Sequence, residues 1–91
     1  ATSKQLPVRW CAPEVLERRE YTLQSDVWSF GIMMWELYSN ASEKPYSELK
    51  SLKEIQEKVL MGYRLKKPIN PYCNENIFEI MQNCWKEKGE E

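Results

Sequence analysis

The sequence contains no histidine. Imidazole catalysis and the commonest metal ligand are therefore excluded from this chain. Cysteine is scarce: Cys11, Cys73 and Cys84, an odd number with no C-x-x-C pair. That pattern indicates neither a disulfide framework nor a zinc site, and it fits three reduced thiols in a cytosolic compartment. There are only three glycines, and no Gly-rich loop of the kind that wraps phosphate. An excess of one charge is lacking too. Thirteen Lys+Arg against fourteen Asp+Glu leave a net charge of −1, so nucleic acid is not the expected partner, because backbone binding needs a basic surface. No apolar run approaches the ~18 residues of a membrane span. No basic-then-apolar leader is in view, and no membrane contact is expected from this segment.

What is present is ordinary globular material. Hydrophobic residues make up 42% of the 91 and charged residues 30%, which is too apolar for a disordered chain. Four helical segments can be read along it. Residues 1–10 read as an extended arm, with Pro7 biasing Leu6 away from helix. Pro13 then suits the first turn of a short helix, and Glu14 complements the dipole there. Residues 25–39 are expected to form a central helix, with Ser25 as its N-cap and Asp26 in its first turn. From Val27 to Tyr38 only Ser29, Gly31 and Glu36 interrupt the apolar residues. Twelve residues exceed the usual strand, and a helix apolar all round should be buried on nearly all faces.

Residues 40–45 read as a polar loop broken by Asn40, Ser42 and Pro45. Ser51 and Glu54 form a capping box for a helix over 52–61, closed by Gly62 at the C′ position. Residues 63–72, with Pro68 and Pro71, read as an extended connector. Asn76 and Glu79 suggest a last capped helix with a stripe of Ile77, Ile80, Met81, Cys84 and Trp85, ended by Gly89. Trp10, Trp35 and Trp85 are expected in the packing. The fold class is mainly α. Two short amphipathic helices and one turn are a thin cover for a rod apolar on every side. The expectation is therefore a piece of a larger unit, or a chain that needs a partner, with association through exposed apolar surface.

One ordered set of motifs carries more. Leu6-Pro7-Val8-Arg9-Trp10-Cys11-Ala12-Pro13-Glu14 holds an A-P-E tripeptide. Ser25-Asp26-Val27-Trp28-Ser29-Phe30-Gly31 follows, then Pro45-Tyr46, Gly62-Tyr63-Arg64-Leu65 with Pro68, and Cys84-Trp85. Along nearly the whole chain this set resembles the C-terminal lobe of protein-tyrosine kinases. The P-V-R-W stretch is similar to the tyrosine-directed branch, and the ending Cys84-Trp85-Lys86-Glu87-Lys88 resembles the cytoplasmic Tec group.

The resemblance implies a partial kinase domain over 1–91: a substrate-binding (P+1) loop, a short A-P-E helix, a central buried helix and two further helices. It implies that Leu6, Pro7, Val8, Arg9 and Trp10 bind the substrate, with Pro7 near the acceptor tyrosine ring. Proline has a fixed φ and no N–H, so it makes a rigid apolar wall. The resemblance further implies that Glu14 pairs with an arginine of an Arg-Pro dipeptide expected after Cys-Trp, which the 91 residues do not include; Arg9, Arg18 or Arg19 would be the substitutes. Asp26 would hold backbone N–H groups of the catalytic loop, and Trp28 and Gly31 would serve packing.

Phosphoryl transfer also needs a Gly-rich loop, a V-A-I-K lysine, an H-R-D loop and a D-F-G. None is in this chain. No catalytic residue and no metal ligand is therefore expected here, ATP and Mg2+ are expected only in the parent kinase, and the segment alone should be inactive. The implied partners are a protein-tyrosine substrate and the remaining kinase domain, on the cytosolic side of a membrane or in the cytoplasm. Two alternatives stay open: a pseudokinase lobe acting as an interaction scaffold, and an unrelated small helical binding module.

Overall fold

The computed structural model describes residues 7–39 and 44–86. Four α-helices follow one short turn, and no strand forms among the described residues. Where an extended arm was expected, Val8–Trp10 makes a single 3₁₀ turn. The Trp10 amide donates to the Pro7 carbonyl at 2.9 Å and the Cys11 amide to Val8 at 3.2 Å. Pro7 pre-sets the backbone for this tightening. Leu6, Asn40, Ser42 and Gly89 lie outside the described residues.

Helix α1, Pro13–Arg18, starts on its proline and stops at Arg19, whose φ of 57° is left-handed. Helix α2, Leu23–Tyr38, begins one turn earlier than the sequence suggested. Thr22 is its N-cap: the Ser25 amide donates to Thr22 Oγ1 at 3.2 Å, and the Thr22 amide donates to Ser25 Oγ at 2.7 Å. Ser25 thus fills the N3 place usually held by Glu or Gln.

Only one stripe of α2 is covered. Ser25, Trp28, Gly31, Ile32 and Trp35 are buried. Leu23, Val27, Phe30, Met33 and Leu37 are exposed, Leu23 at 78% and Leu37 at 73%. The expectation of burial on nearly all faces is not met by the described residues. Among the helices α2 packs mainly against α4, and on its other flank against the Val8–Trp10 turn, so a second apolar stripe stays bare.

Helix α3, Leu52–Leu60, is capped by Ser51, which accepts from the Glu54 amide at 3.1 Å. The return bond differs from the expected box: Glu54 accepts from the Lys50 amide at 2.8 Å. At the other end Gly62 (φ 110°) closes a Schellman turn, with Tyr63 donating to the Lys58 carbonyl and Gly62 to Val59. Helix α4, Glu75–Cys84, is capped by Asn74 rather than Asn76, and it ends at Cys84 with Trp85 as C-cap. Its inward face carries Ile77, Phe78, Met81 and Cys84, and Ile80 is half exposed.

Two features lock α4 and the connector onto α2. Gly31 lets α4 come close: a Cβ there would lie 2.6 Å from Cys84 Cβ and 2.7 Å from Trp85 Nε1. Arg64 stacks over the Trp28 ring, 4.7 Å from its centroid. Its Nε donates to the Trp85 carbonyl at 2.8 Å, and its Nη1 donates to the Val59 and Tyr63 carbonyls. Further along, Trp35 Nε1 donates to the Lys66 carbonyl at 2.7 Å and Asn70 to the Tyr38 carbonyl at 2.8 Å. Cys11, Cys73 and Cys84 are free thiols, and burial pushes each of them up toward the neutral form.

A side cluster pairs Tyr46, buried with a left-handed φ of 61°, with Tyr63, ring centroids 6.2 Å apart. The Tyr63 hydroxyl donates to the Glu48 carboxylate. That bond holds the Tyr63 phenol up at about 12, and burial pushes Tyr46 up further.

Two outcomes follow from this packing. Gly31→Ala should lower the unfolding free energy by about 1–3 kcal/mol, because backbone and indole must shift to admit the methyl; urea titration measures it, and an unchanged midpoint would show that α2 and α4 are not in this contact. A phenol whose pKa is higher folded than unfolded stabilises the fold at and below the unfolded value of 10.0. Stability should therefore decline as pH rises from 10 through about 12. Tyr63→Phe should make that decline shallower, and an identical alkaline limb would count against the bond to Glu48.

Candidate functional site

The site is built where the 3₁₀ turn meets the N-terminal half of α2. Pro7 is exposed at the rim, and Val8, Arg9 and Trp10 are half-buried behind it. Arg9 Nη1 donates to the Pro45 carbonyl at 2.7 Å, tying the turn to the loop before α3. Trp10 leans on α2 through two hydrogen bonds. Its carbonyl accepts from Ser29 Oγ at 2.8 Å, and its indole Nε1 donates to Glu36 Oε1 at 3.0 Å.

Between the turn and the helix lies a depression of about 130 Å³, lined by Pro7, Trp10, Tyr21, Ser25, Asp26 and Ser29 among others. Pro7 and Asp26, far apart in sequence, share its wall. Asp26 is exposed, and among the described residues nothing donates to its carboxylate. The depression thus offers an apolar wall on one side and an unengaged acceptor on the other. A larger open groove of about 470 Å³ lies at the far end of α2, against Trp35, Glu48, Leu65 and Lys66. It gathers Trp35 and the motif residues Leu65 and Pro68, but none of the candidate site residues.

The remaining candidates sit elsewhere. Gly31 is in the α2–α4 contact and Trp28 is buried beneath the Arg64 guanidinium; neither lines the depression. Glu14 is only 5% exposed. Among the described residues none of the three arginines considered as substitutes pairs with it: Arg9 is held by Pro45, Arg18 bridges Glu17 and Glu20, and Arg19 forms the helix stop. Tyr21, Ser29, Glu36 and Arg64 were not singled out as site or packing residues. For Ser29 and Glu36 a signal existed: they are the polar breaks in the apolar run of α2, and both turn out to hold Trp10.

Among the described residues no three of His, Cys, Asp and Glu come together. What the arrangement offers is a shallow depression with an exposed proline at its rim and an exposed carboxylate on its wall.

Comparison with known proteins follows the same line. The family model described as protein tyrosine and serine/threonine kinase matches residues 1–91. The angiopoietin-1 receptor of Danio rerio is 45% identical over 87 residues, 96% of this chain and 7% of the receptor. The ephrin type-A receptor 1 of Homo sapiens is 46% identical over 81 residues, 89% of this chain and 8% of the receptor. The tyrosine-protein kinase receptor Tie-1 of Danio rerio is 41% identical over 87 residues, 96% of this chain and 45% of that protein. The chain thus spans less than half the length of each. All three carry receptor names, whereas the likeness to the Tec group rests on five residues at 84–88.

Glu14 yields a direct test. It stands in the first turn of α1 and makes no ion pair among the described residues. Glu14→Gln should therefore shift the unfolding free energy of this chain by no more than about 1 kcal/mol, the size of a first-turn charge's interaction with the helix dipole; urea titration measures it. A loss of several kcal/mol would show that the carboxylate has a buried cationic partner.

Proposed function

The chain belongs to the protein tyrosine and serine/threonine kinase family, and we propose that it is the substrate-docking part of a protein-tyrosine kinase that moves the γ-phosphate of ATP to protein tyrosine. The observation that carries this is the shared wall of Pro7 and Asp26. A tyrosine hydroxyl lies further from its backbone than a serine hydroxyl does. A rigid wall at the loop therefore holds the peptide back and brings only the longer side chain to the reacting position. Pro7 has no N–H and its φ is fixed near −75°, so the wall costs no ordering when the peptide arrives.

The second part is Asp26. An exposed carboxylate at the first turn of a firmly packed helix is a fixed acceptor. In the parent protein it takes N–H bonds from the catalytic loop and ties that loop to the substrate wall. Glu14, without an ion pair among the described residues, takes an arginine in the same way. Leu6, Val8, Arg9 and Trp10 complete the substrate loop. The catalytic base and the groups that hold ATP and Mg2+ lie outside this chain, so the 91 residues alone are inactive. A cytosolic location fits three thiols whose burial favours the reduced, neutral form.

The test is a transfer assay with paired peptides that differ only in Tyr or Ser at the acceptor. The full-length protein should modify the tyrosine peptide and the 91-residue chain neither. Pro7→Gly should raise the KM for the tyrosine peptide about tenfold, equivalent to ~1.4 kcal/mol, and leave the KM for ATP unchanged. Transfer by the 91 residues alone, or a serine preference, would overturn the reading.

A further inference from the structure

Trp10 is held at both of its ends by one helix. Its carbonyl takes the Ser29 hydroxyl at 2.8 Å, and its indole Nε1 reaches the Glu36 carboxylate at 3.0 Å. Ser29 and Glu36 are seven residues apart, which is two helical turns, so they stand on one face about 10 Å apart along the axis. They are also the two polar side chains inside an otherwise apolar run.

Burial does not demand these bonds. Trp28 and Trp85 are 1% and 2% exposed, yet among the described residues their indole N–H groups have no hydrogen-bond partner. Trp10 is only half-buried and could be served by water. Its bond to a half-buried carboxylate is charge-assisted and directional, and together with the Ser29 bond it fixes both the place and the tilt of the ring. Trp10 is in turn coupled to Pro7, because its amide closes the 3₁₀ turn on the Pro7 carbonyl at 2.9 Å. Arg9, bonded to Pro45, steadies the turn from the other side.

We propose that Ser29 and Glu36 are positioning residues for the substrate: by clamping Trp10 they set where the Pro7 wall stands, and so govern how well a tyrosine peptide is seated. The inference rests on the function proposed above, in that the loop at 7–10 is taken to face the peptide. Glu36 is not in the lining of the depression, so its effect is transmitted through Trp10, appears in peptide binding and leaves nucleotide binding alone.

The experiment compares Glu36→Leu, Glu36→Gln and Trp10→Phe in the full-length protein, with peptide KM, ATP KM and kcat measured for each. Leucine removes the acceptor, whereas glutamine keeps one. Glu36→Leu should raise the peptide KM about tenfold with the ATP KM unchanged, the latter showing that the domain is folded. Glu36→Gln should restore the peptide KM to within about twofold of the parent. Trp10→Phe should match Glu36→Leu, and the double variant should be no worse than either alone. Equal impairment by Gln and Leu, strict additivity, or an unchanged peptide KM in Glu36→Leu would each overturn the clamp. An unmodified protein inert on tyrosine peptides overturns the proposed function and this inference with it; an active one insensitive to Glu36→Leu overturns the clamp alone.

Discussion

The guanidinium of Arg64 is the pin of this fold. It lies on the face of Trp28 and donates to carbonyls at the end of α3, at Tyr63 and at Trp85. A cation stacked on indole and bonded to several backbone oxygens needs no carboxylate to be stable. Through it the central helix, the close of α3, the connector and the C-cap of α4 meet at one point. Gly31 completes the arrangement by removing the one Cβ that would hold α4 away. Without this joint the connector would have little to lie on, and the stripe of α2 that is now dry would be wet.

The joint also explains why the helix serves two sides differently. Trp28, Gly31, Ile32 and Trp35 are spent on packing α4 and the connector. Ser29 and Glu36, around the cylinder, are left to hold the Val8–Trp10 turn. Leu23, Phe30 and Leu37 are left to whatever else the helix must meet. A rod fixed firmly on one side is a good base for a short turn that has few contacts of its own. The geometry of the loop is then inherited from the core, not from the loop's own few contacts.

The same logic accounts for the two acids that look unfinished. Among the described residues, Asp26 projects from the first turn of α2 with no donor to its carboxylate, and Glu14, on α1, makes no ion pair. Each is a sensible position for a group that is completed by another part of a kinase domain, and a poor one in a self-contained helical module. Together with the bare apolar stripe they weigh against that alternative. The family match over the whole chain points the same way.

Much was legible before any coordinates. The cap at Ser51, the turn at Gly62, the helix started by Pro13 and the order of the kinase-like motifs all follow from local chemistry, because each depends on residues within a few positions of one another. Local rules failed where two answers were locally equal. Thr22 and Ser25 can each cap a helix, as can Asn74 and Asn76, and choosing between them needs the packing beyond. The use of Ser29, Gly31, Glu36 and Arg64 was out of reach for the same reason: their partners are Trp10, Cys84, Trp85 and Trp28, residues up to dozens of positions away. The sequence by itself determined that a long, nearly all-apolar helix stands at the centre and that a proline-bearing loop precedes it. Which stripe of that helix is covered, and which polar break in it reaches the loop, only the tertiary structure decided, since an all-round apolar surface has no preferred side until its neighbours choose one.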